Sequence, residues 1–368
     1  MIAAASPIQR PREAKLLVID AHGTLLHAPR RCLPNLLRSG DLVVANDAAT
    51  LPASLAGIHV ESGAPIEVRL AQRRSLASDD VSEFGAIVFG EGDYRTPTER
   101  RPLPPPLAGG DMLRLGPLRA TVQRTLGHPR LVALRFEGSS LAIWRGIALH
   151  GRPIQYAYVP TPLALWDVWT RIAAVPTAFE PPSAGFVLDW HLIGELRARR
   201  IAFATLTHAA GISSTGDAAL DALLPFDEPY HISRRTADAI ARTRGRGGRV
   251  IAAGTTVVRA LEAAAGDHGV ARAGAGVARQ RIDARTRLRV VDALLTGTHE
   301  PGTSHHALLG AFATGESLQS ADHELEDHGY RTHEFGDSML IERGSGTRAR
   351  RTSPLTHDAC TSNMRIVA

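Results

Sequence analysis

The stretch around Gly254 carries residue types that could bind an anion. Val250 to Ala253 is a short apolar run of the kind found in buried parallel strands, and Gly254 permits a sharp turn after it. Thr255 or Thr256 could cap a following helix, on which Arg259 would add a cation. Free N–H groups and the positive end of the helix dipole favour a carboxylate or phosphate there. An ordinary strand-to-helix connection, with Arg259 in a structural ion pair, has the same pattern.

His299 is the leading candidate for proton transfer. It follows the apolar run Val290 to Leu295, in a loop rich in glycine and threonine. An imidazole titrates in the range that catalysis at neutral pH requires. A loop histidine that is satisfied by backbone carbonyls has the same sequence pattern.

Polar side chains near strand ends are further candidates. Asp337, after Gly336, could receive an ammonium group or ribose hydroxyls, or could form an Asx-turn before a strand. Asn46 and Asp47 end a predicted strand, which is where ligand groups lie in open α/β sheets. Both could also cap a turn.

Two groups of histidines invite a metal interpretation. They are His299, His305 and His306, and the spaced set His323, His328 and His333. Neither group places neighbouring ligands on one helical face with an acidic or cysteine partner at metal spacing. The sequence therefore predicts no metal site.

The distribution of apolar runs predicts an α/β fold, a mostly parallel sheet with covering helices, interrupted by an antiparallel β-barrel insertion. Strands are predicted at 15–20 and 41–46, and short strands separated by Gly and Pro fill the barrel, including one at Leu141 to Trp144. After residue 158, helical periods alternate with buried strands. We expect residues 1–60 to form the first part of the α/β domain, 61–150 the barrel, 151–343 the second part and 344–368 a flexible tail.

Composition narrows the function classes. The chain has 368 residues and a mildly basic net charge of +5, which is compatible with nucleic acid but does not require it. Lys15 is the only lysine, so Schiff-base and pyridoxal-phosphate chemistry is excluded unless Lys15 serves. Cys32 and Cys360 lie at opposite ends of the chain and predict no disulfide. Without a signal peptide or a membrane-spanning segment, we expect a cytoplasmic protein.

Several motifs resemble, in collinear order, those of the S-adenosylmethionine:tRNA ribosyltransferase-isomerases of the queuosine pathway. Residues 247–262 are similar to the family's G-G-R-V-I-A-V-G-T-T-S-V-R-T-L-E, and 36–47 to L-L-x-x-G-D-L-L-V-x-N-D. Residues 182–186 are similar to P-T-A-G-L, and 336–341 to G-D-A-M-L-I. Thr296, His299 and Pro301 fall where the family has T-N-F-H-L-P-K-S.

The resemblance implies an α/β domain with a β-barrel insertion and a defined reaction. The cosubstrate would be S-adenosylmethionine, whose ribosyl group is transferred to a deazaguanine base of tRNA and rearranged while adenine and methionine leave. Because the sulfonium acidifies the C5′ hydrogens, a base is needed there and an acid for adenine, and His299 and Asp337 are the catalytic candidates. The cosubstrate-binding candidates are Gly254, Thr255, Thr256, Arg259, Asn46, Asp47 and Ser183.

The chain departs from the family pattern at several polar positions. Gly302 replaces the lysine of H-L-P-K-S, Val187 replaces the histidine of G-L-H-F, His208 is displaced by one residue, and 152–157 replaces P-L-P-P-Y-I. Three hypotheses follow: an enzyme that acts on tRNA, an S-adenosylmethionine-using enzyme with a small-molecule acceptor, and a non-catalytic relative that only binds.

Overall fold

A computed structural model describes residues 1–265, 269–344 and 365–367, the last three as backbone only. The strands are β1 Ile2–Ala3, β2 Lys15–Ile19, β3 Leu25–Pro29, β4 Leu42–Asn46, β5 Ala48–Thr50, β6 Ser54–His59, β7 Pro65–Gln72, β8 Glu83–Phe89, β9 Met112–Leu115, β10 Leu118–His128, β11 Leu131–Phe136, β12 Val175–Ala178, β13 Ala202–His208, β14 Glu228–Ile232, β15 Val250–Ala253, β16 Gly274–Ala278, β17 Ala293–Gly297, β18 Arg331–Thr332, β19 Ser338–Glu342 and β20 Arg365–Val367. The helices are α1 Leu33–Leu36, α2 Ser140–His150, α3 Leu165–Val168, α4 Trp190–Ala198, α5 Ala218–Asp221, α6 Arg234–Gly245, α7 Thr255–Ala264, α8 Ser304–Leu309 and α9 Gly315–Asp327.

A ten-stranded sheet organises the larger part of the chain, in the order β16-β14-β13-β4-β15-β17-β19-β2-β3-β20. Its centre, β13-β4-β15-β17, is parallel. β4 and β15 are buried at every position, which is why both read as unbroken apolar runs. The parallel centre and its covering helices confirm the predicted α/β fold.

Antiparallel strands flank this centre on both sides. β14 and β16 extend one side, and β19 runs antiparallel to β17 on the other. The sheet as a whole is therefore mixed. The β17–β19 pairing places Gly297 opposite Ser338, so that the loops after β17 and before β19 meet at one edge.

The insertion is a closed antiparallel barrel with the strand order β10-β11-β8-β7-β6-β9. An apolar core fills it, centred on residues such as Leu55, Val68 and Phe84. The barrel begins with β6, before the predicted limit at residue 61, because the turn at 60–63 connects β6 to β7 rather than one domain to the other.

The strand predicted at Leu141 to Trp144 is wrong, because these residues lie in α2. Ser139 caps this helix, its hydroxyl accepting the N–H of Ala142 at 3.3 Å. Ile143 and Ile147, one turn apart, are buried, so the apolar residues follow a helical period.

The end of the chain returns to the sheet. β20 pairs antiparallel with β3, Arg365 opposite His27, within the predicted tail 344–368; residues 345–364 lie outside the described residues. Cys32, three residues after β3, is buried and disulfide-bonded, which corrects the expectation of no disulfide. Separation along the sequence does not decide whether a disulfide can form, because the pairing of β20 with β3 brings distant parts of the chain together.

Within the part of the chain that the structure describes, no helix has both the length and the apolar character needed to cross a bilayer.

Candidate active site

A cavity of about 210 Å³ opens where β15 and β17 end. Carboxyl ends of neighbouring parallel strands meet at one edge of a sheet, where ligands of α/β proteins usually bind. The segments that line the cavity are 180–184, 210–214, 254–256, 296–300, 303–305 and 332–334, with single contributions from Pro225, Glu228, Arg259, Arg281, Ile282 and Leu308.

The amino end of α7 forms one wall of this cavity. Gly254 is the N-cap residue, with a φ of 108°, and no side chain caps the helix. Thr255 and Thr256 are the first two helical residues, so the expected threonine cap is wrong, because the glycine already occupies the capping position. The positive end of α7 therefore faces the cavity without a side-chain cap.

Arg259 is held in a structural ion pair. Its guanidinium bonds the buried carboxylate of Glu228 and donates to the carbonyls of Phe226 and Ala278, each at 3.0 Å. Burial lowers the pKa of Arg259 to about 10, despite nearby Asp227. Arg259 lines the cavity, but its donors are already engaged, which realises the structural alternative stated above.

His299 reaches the cavity from the loop after β17. Its Nε2 lies 2.7 Å from the Thr296 hydroxyl, which orients the ring, and the His305 ring lies 5.1 Å away, edge to face. Burial, reinforced by His305 and Arg10, lowers the pKa of His299 well below its usual value. The imidazole is therefore neutral at physiological pH, and the same burial makes it a weaker base than a solvent-exposed histidine.

Ser183 also lines the cavity. Its backbone carbonyl accepts a hydrogen bond from the buried guanidinium of Arg10, which also donates to the Gly336 carbonyl at 2.9 Å. Arg10 thus ties the segment at Ser183 to the loop before β19.

Asn46 and Asp47 do not belong to the cavity wall as the structure describes it. The Asn46 amide exchanges hydrogen bonds with the backbone of His208, both at 2.9 Å, and also reaches the Thr256 hydroxyl at 3.5 Å. Asp47 accepts the Thr207 hydroxyl at 2.6 Å. Both side chains connect the end of β4 to β13, and their role in cosubstrate binding stays a prediction.

Asp337 is likewise engaged with the backbone. One carboxylate oxygen accepts the N–H of Lys15 at 2.8 Å, and the other accepts that of Arg331 at 2.9 Å. Asp337 is absent from the described cavity wall. It connects β2 to β18 instead of forming the Asx-turn alternative, and its catalytic role stays a prediction.

Two glutamate–tyrosine pairs at the cavity were missed in the sequence. The Tyr156 hydroxyl donates to Glu180 and the Tyr158 hydroxyl donates to Glu334, while the two tyrosine rings stack at 5.8 Å. His333 stacks on Tyr158 at 4.2 Å. These residues come from three separate loops, and no short motif joins them.

Burial determines the protonation state of this group. The pKa of Glu180 is raised to about 7 by burial and by the charge of Glu334, although Ser213 and Tyr156 donate hydrogen bonds to it. The pKa of each tyrosine is raised well above its usual value, by burial and a neighbouring carboxylate. Glu180 can therefore either donate or accept a proton near neutral pH.

Comparison with known protein families identifies the family of this chain. The family model described as "Queuosine biosynthesis protein" matches residues 1–341. This chain belongs to that family.

Two relatives share nearly their whole length with this chain. An S-adenosylmethionine:tRNA ribosyltransferase-isomerase from Sorangium cellulosum is 34% identical over 362 residues, covering 93% of this chain and 95% of the relative. One of the same name from Pelobacter propionicus is 32% identical, covering 91% and 94%. A crystal structure of the S-adenosylmethionine tRNA ribosyltransferase from Thermotoga maritima is 23% identical, covers 92% of this chain and 96% of its own, and has a TM-score of 0.48. The family resemblance, and the transferase-isomerase class that it implies, are confirmed.

Most departures from the queuosine family pattern lie away from the cavity wall. Val187 is buried in the apolar core with Leu188 and Leu192, and Gly302 is exposed on its loop. His208 is fully buried, and burial lowers its pKa to about 3, assisted by the charge of Arg259. Tyr156 of the altered segment 152–157 donates a hydrogen bond to Glu180 of the cavity wall, and the His208 ring lies 3.4 Å from Glu228, which also lines the cavity.

Three of the six histidines considered for a metal, His299, His305 and His333, line the cavity, and the rings of His299 and His305 lie 5.1 Å apart. His306 pairs with Asp322 at 3.1 Å, His333 stacks on Tyr158, and His328 lies beside His27 and Glu324.

Proposed function

We propose that this protein uses S-adenosylmethionine as a ribosyl donor and transfers the rearranged ribosyl group to a deazaguanine base of tRNA, releasing adenine and methionine. The observation that carries the proposal is one cavity in which the open end of α7, a neutral His299 and the near-neutral carboxyl of Glu180 meet. The names of the two relatives, S-adenosylmethionine:tRNA ribosyltransferase-isomerases, describe this activity.

The methionine carboxylate would bind at the amino end of α7. Gly254, Thr255 and Thr256 line the cavity there without a side-chain cap, and Ser183 lines it too. Backbone N–H groups at a helix start, together with the helix dipole, suit a carboxylate. The proposal leaves Arg259 out of this contact because Glu228 already neutralises it.

The two proton transfers would fall to different residues. His299 is neutral and could remove a C5′ hydrogen that the adjacent sulfonium has acidified. Glu180, protonated in part at neutral pH, could supply a proton to the departing adenine. When two titratable groups lie in different environments, their pKa values differ, and one group can act as the base while the other acts as the acid.

The position of the departures supports tRNA as the acceptor. Gly302 and Val187, which motivated the small-molecule alternative, are absent from the described cavity wall. A tRNA acceptor would place the enzyme in the cytoplasm. The lysine that Gly302 replaces is a candidate phosphate contact in the family's motif, so a small-molecule acceptor is the competing function.

The decisive experiment incubates the enzyme with S-adenosylmethionine labelled in the ribose and with tRNA that carries the aminomethyl-deazaguanine base. We expect release of adenine and transfer of the label to RNA. Adenine release without labelled RNA, together with no salt-sensitive tRNA binding in a shift assay, would move the assignment to a small-molecule acceptor. Calorimetric binding of S-adenosylmethionine without any turnover would leave only the non-catalytic relative.

A further inference from the structure

A histidine and two carboxylates converge at one end of the barrel, away from the described cavity wall. His59 is the last residue of β6, Glu61 lies in the turn that follows, and Asp111 immediately precedes β9. β6 and β9 are paired, with His59 opposite Leu113. One ligand atom from each of the three side chains lies within 4.8 Å of the other two.

The His59 ring is buried and directed at this group. The residue is 5% exposed, and its Nδ1 lies 2.8 Å from the Ser62 hydroxyl, which fixes the ring. Its Nε2 is buried and forms no hydrogen bond, although it lies 3.1 Å from a Glu61 oxygen and 3.3 Å from an Asp111 oxygen. A buried ring nitrogen without a hydrogen-bond partner is uncommon and indicates an additional ligand.

The spacing fits a shared metal ion. Metal–ligand bonds of about 2.0–2.2 Å in a tetrahedron separate the ligand atoms by roughly 3.3–3.6 Å, close to the two distances from His59. Backbone N–H groups hold the carboxylates: Met112 donates to Glu61 at 2.8 Å and Ala108 donates to Asp111 at 2.7 Å. Such outer contacts orient ligands in metal sites. Glu61 is exposed, so that water can complete the coordination.

We propose that His59, Glu61 and Asp111 bind a divalent transition-metal ion of the zinc class. One imidazole nitrogen and two carboxylates suit zinc better than calcium or magnesium, which prefer ligand sets made of oxygen alone. Bound metal would join the β6–β7 turn to the start of β9 and so stabilise the closed barrel. The sequence predicted no metal here because Asp111 is separated from His59 by two strands of the barrel.

A second group in the described residues provides an internal competitor. His27, Glu324 and His328 also lie within 4.8 Å of one another, but the His27 Nε2 already bonds Glu324 at 2.9 Å. His328→Ala is therefore the matched control for His59→Ala.

The test is zinc titration of the full chain, freed of metal by a chelator, followed by calorimetry and by unfolding with and without zinc. We expect His59→Ala to bind one equivalent less than the wild type, and His328→Ala to keep the site that His59→Ala lacks. Zinc at 100 times its Kd should favour the folded wild type by about 100-fold more than the folded His59→Ala variant. If His59→Ala does not fold, Asp111→Asn replaces it as the test variant. X-ray absorption of the zinc-bound wild type should show one nitrogen and several oxygen ligands around the metal.

The proposal is overturned if the wild type binds no zinc, or if His59→Ala, or Asp111→Asn in its place, binds as many equivalents as the wild type. It is also overturned if His328→Ala alone removes all binding. Because none of these ligands contributes to the described cavity wall, these outcomes are independent of the proposed tRNA activity.

Discussion

The hydroxyl of Tyr156 donates a hydrogen bond to the carboxylate of Glu180, which is buried at the cavity wall. The neighbouring Tyr158 makes the same contact with Glu334. Two acidic groups are thereby held side by side in a site that the α7 dipole makes favourable to anions. Burial and the negative charge of Glu334, which outweigh the hydrogen bond from Tyr156, explain why Glu180 retains a proton to near-neutral pH.

Glu180→Gln should stabilise the protein at alkaline pH. The pKa of Glu180 is about 7 in the folded state and 4.5 in the reference state, so the folded chain holds the extra proton between these values and loses stability as pH rises through them. Above pH 7 the variant should gain up to about 3 kcal/mol in free energy of unfolding. Urea unfolding at pH 5 and pH 8 measures this, with the exposed Glu91→Gln as control; equal pH dependence in both variants would contradict the prediction.

The rate of adenine release should fall as pH rises above about 7, because Glu180 then loses the proton that it is proposed to donate. Glu180→Gln should lower the rate and flatten this part of the pH profile. The measurement is adenine release from S-adenosylmethionine between pH 6 and pH 9. A profile in the variant that keeps the wild-type slope would assign the proton to another group.

His299→Asn should lower the turnover rate by about 10²- to 10⁴-fold, the usual contribution of a general base. Binding of S-adenosylmethionine, measured by calorimetry, should change little, since the proposed carboxylate contact is at α7. His191→Asn, on the exposed face of α4, is the control and should keep full activity. Unchanged turnover in His299→Asn would remove this residue from the chemistry.

Arg259→Met should destabilise the fold rather than act mainly on cosubstrate affinity. Its removal leaves Glu228 buried without its cation, which costs about 3–5 kcal/mol in unfolding free energy. Adding Glu228→Gln should recover a large part of this loss, and the exposed Arg235→Met should cost little. Denaturant unfolding decides the question; a stable variant with weak S-adenosylmethionine binding would restore Arg259 as a ligand contact.

Gly254→Ala should cost about 1–3 kcal/mol in unfolding free energy. The φ of Gly254 is 108°, which L side chains rarely adopt, and an added Cβ would lie 3.3 Å from that of Ala184. Gly245→Ala, in α6 with open space around it, should instead be neutral or stabilising by up to about 1 kcal/mol. Thermal unfolding of both variants compares them, and equal effects would show that the turn tolerates a side chain.

Patterns within short stretches of the sequence were sufficient to predict the central strand β15 and the helix that follows it. The apolar run Val250–Ala253 and the turn at Gly254 belong to neighbouring residues, so the sequence could predict both β15 and the start of α7. Leu141 to Trp144 shows where such reasoning ends: four apolar or aromatic residues in a short window do not distinguish a strand from a helix, and the cap at Ser139 decides.

The site was harder to predict because its contacts are distant in sequence. Glu180, Tyr156 and Glu334 come together only after folding, because they belong to segments that are far apart along the chain. Asn46 and Asp337 stand beside strands in family-like motifs, yet their polar atoms satisfy backbone groups and the hydroxyl of Thr256. A polar residue at a strand end can therefore either bind a ligand or pair with the protein backbone. Its role depends on whether nearby backbone N–H and C=O groups lack hydrogen-bond partners.

The antiparallel pairing of β17 with β19 makes two walls of the cavity depend on each other. Because the two strands lie in register, His299 on one loop and Glu334 on the other reach the same chamber although 35 positions separate them. The two loops are also joined directly, because the Thr298 hydroxyl donates to the Arg331 carbonyl at 2.6 Å and His333 lies 3.5 Å from Glu300. A substitution at Glu334 would in addition remove a charge that helps to raise the pKa of Glu180, so this wall cannot be reshaped independently of the proposed proton donor.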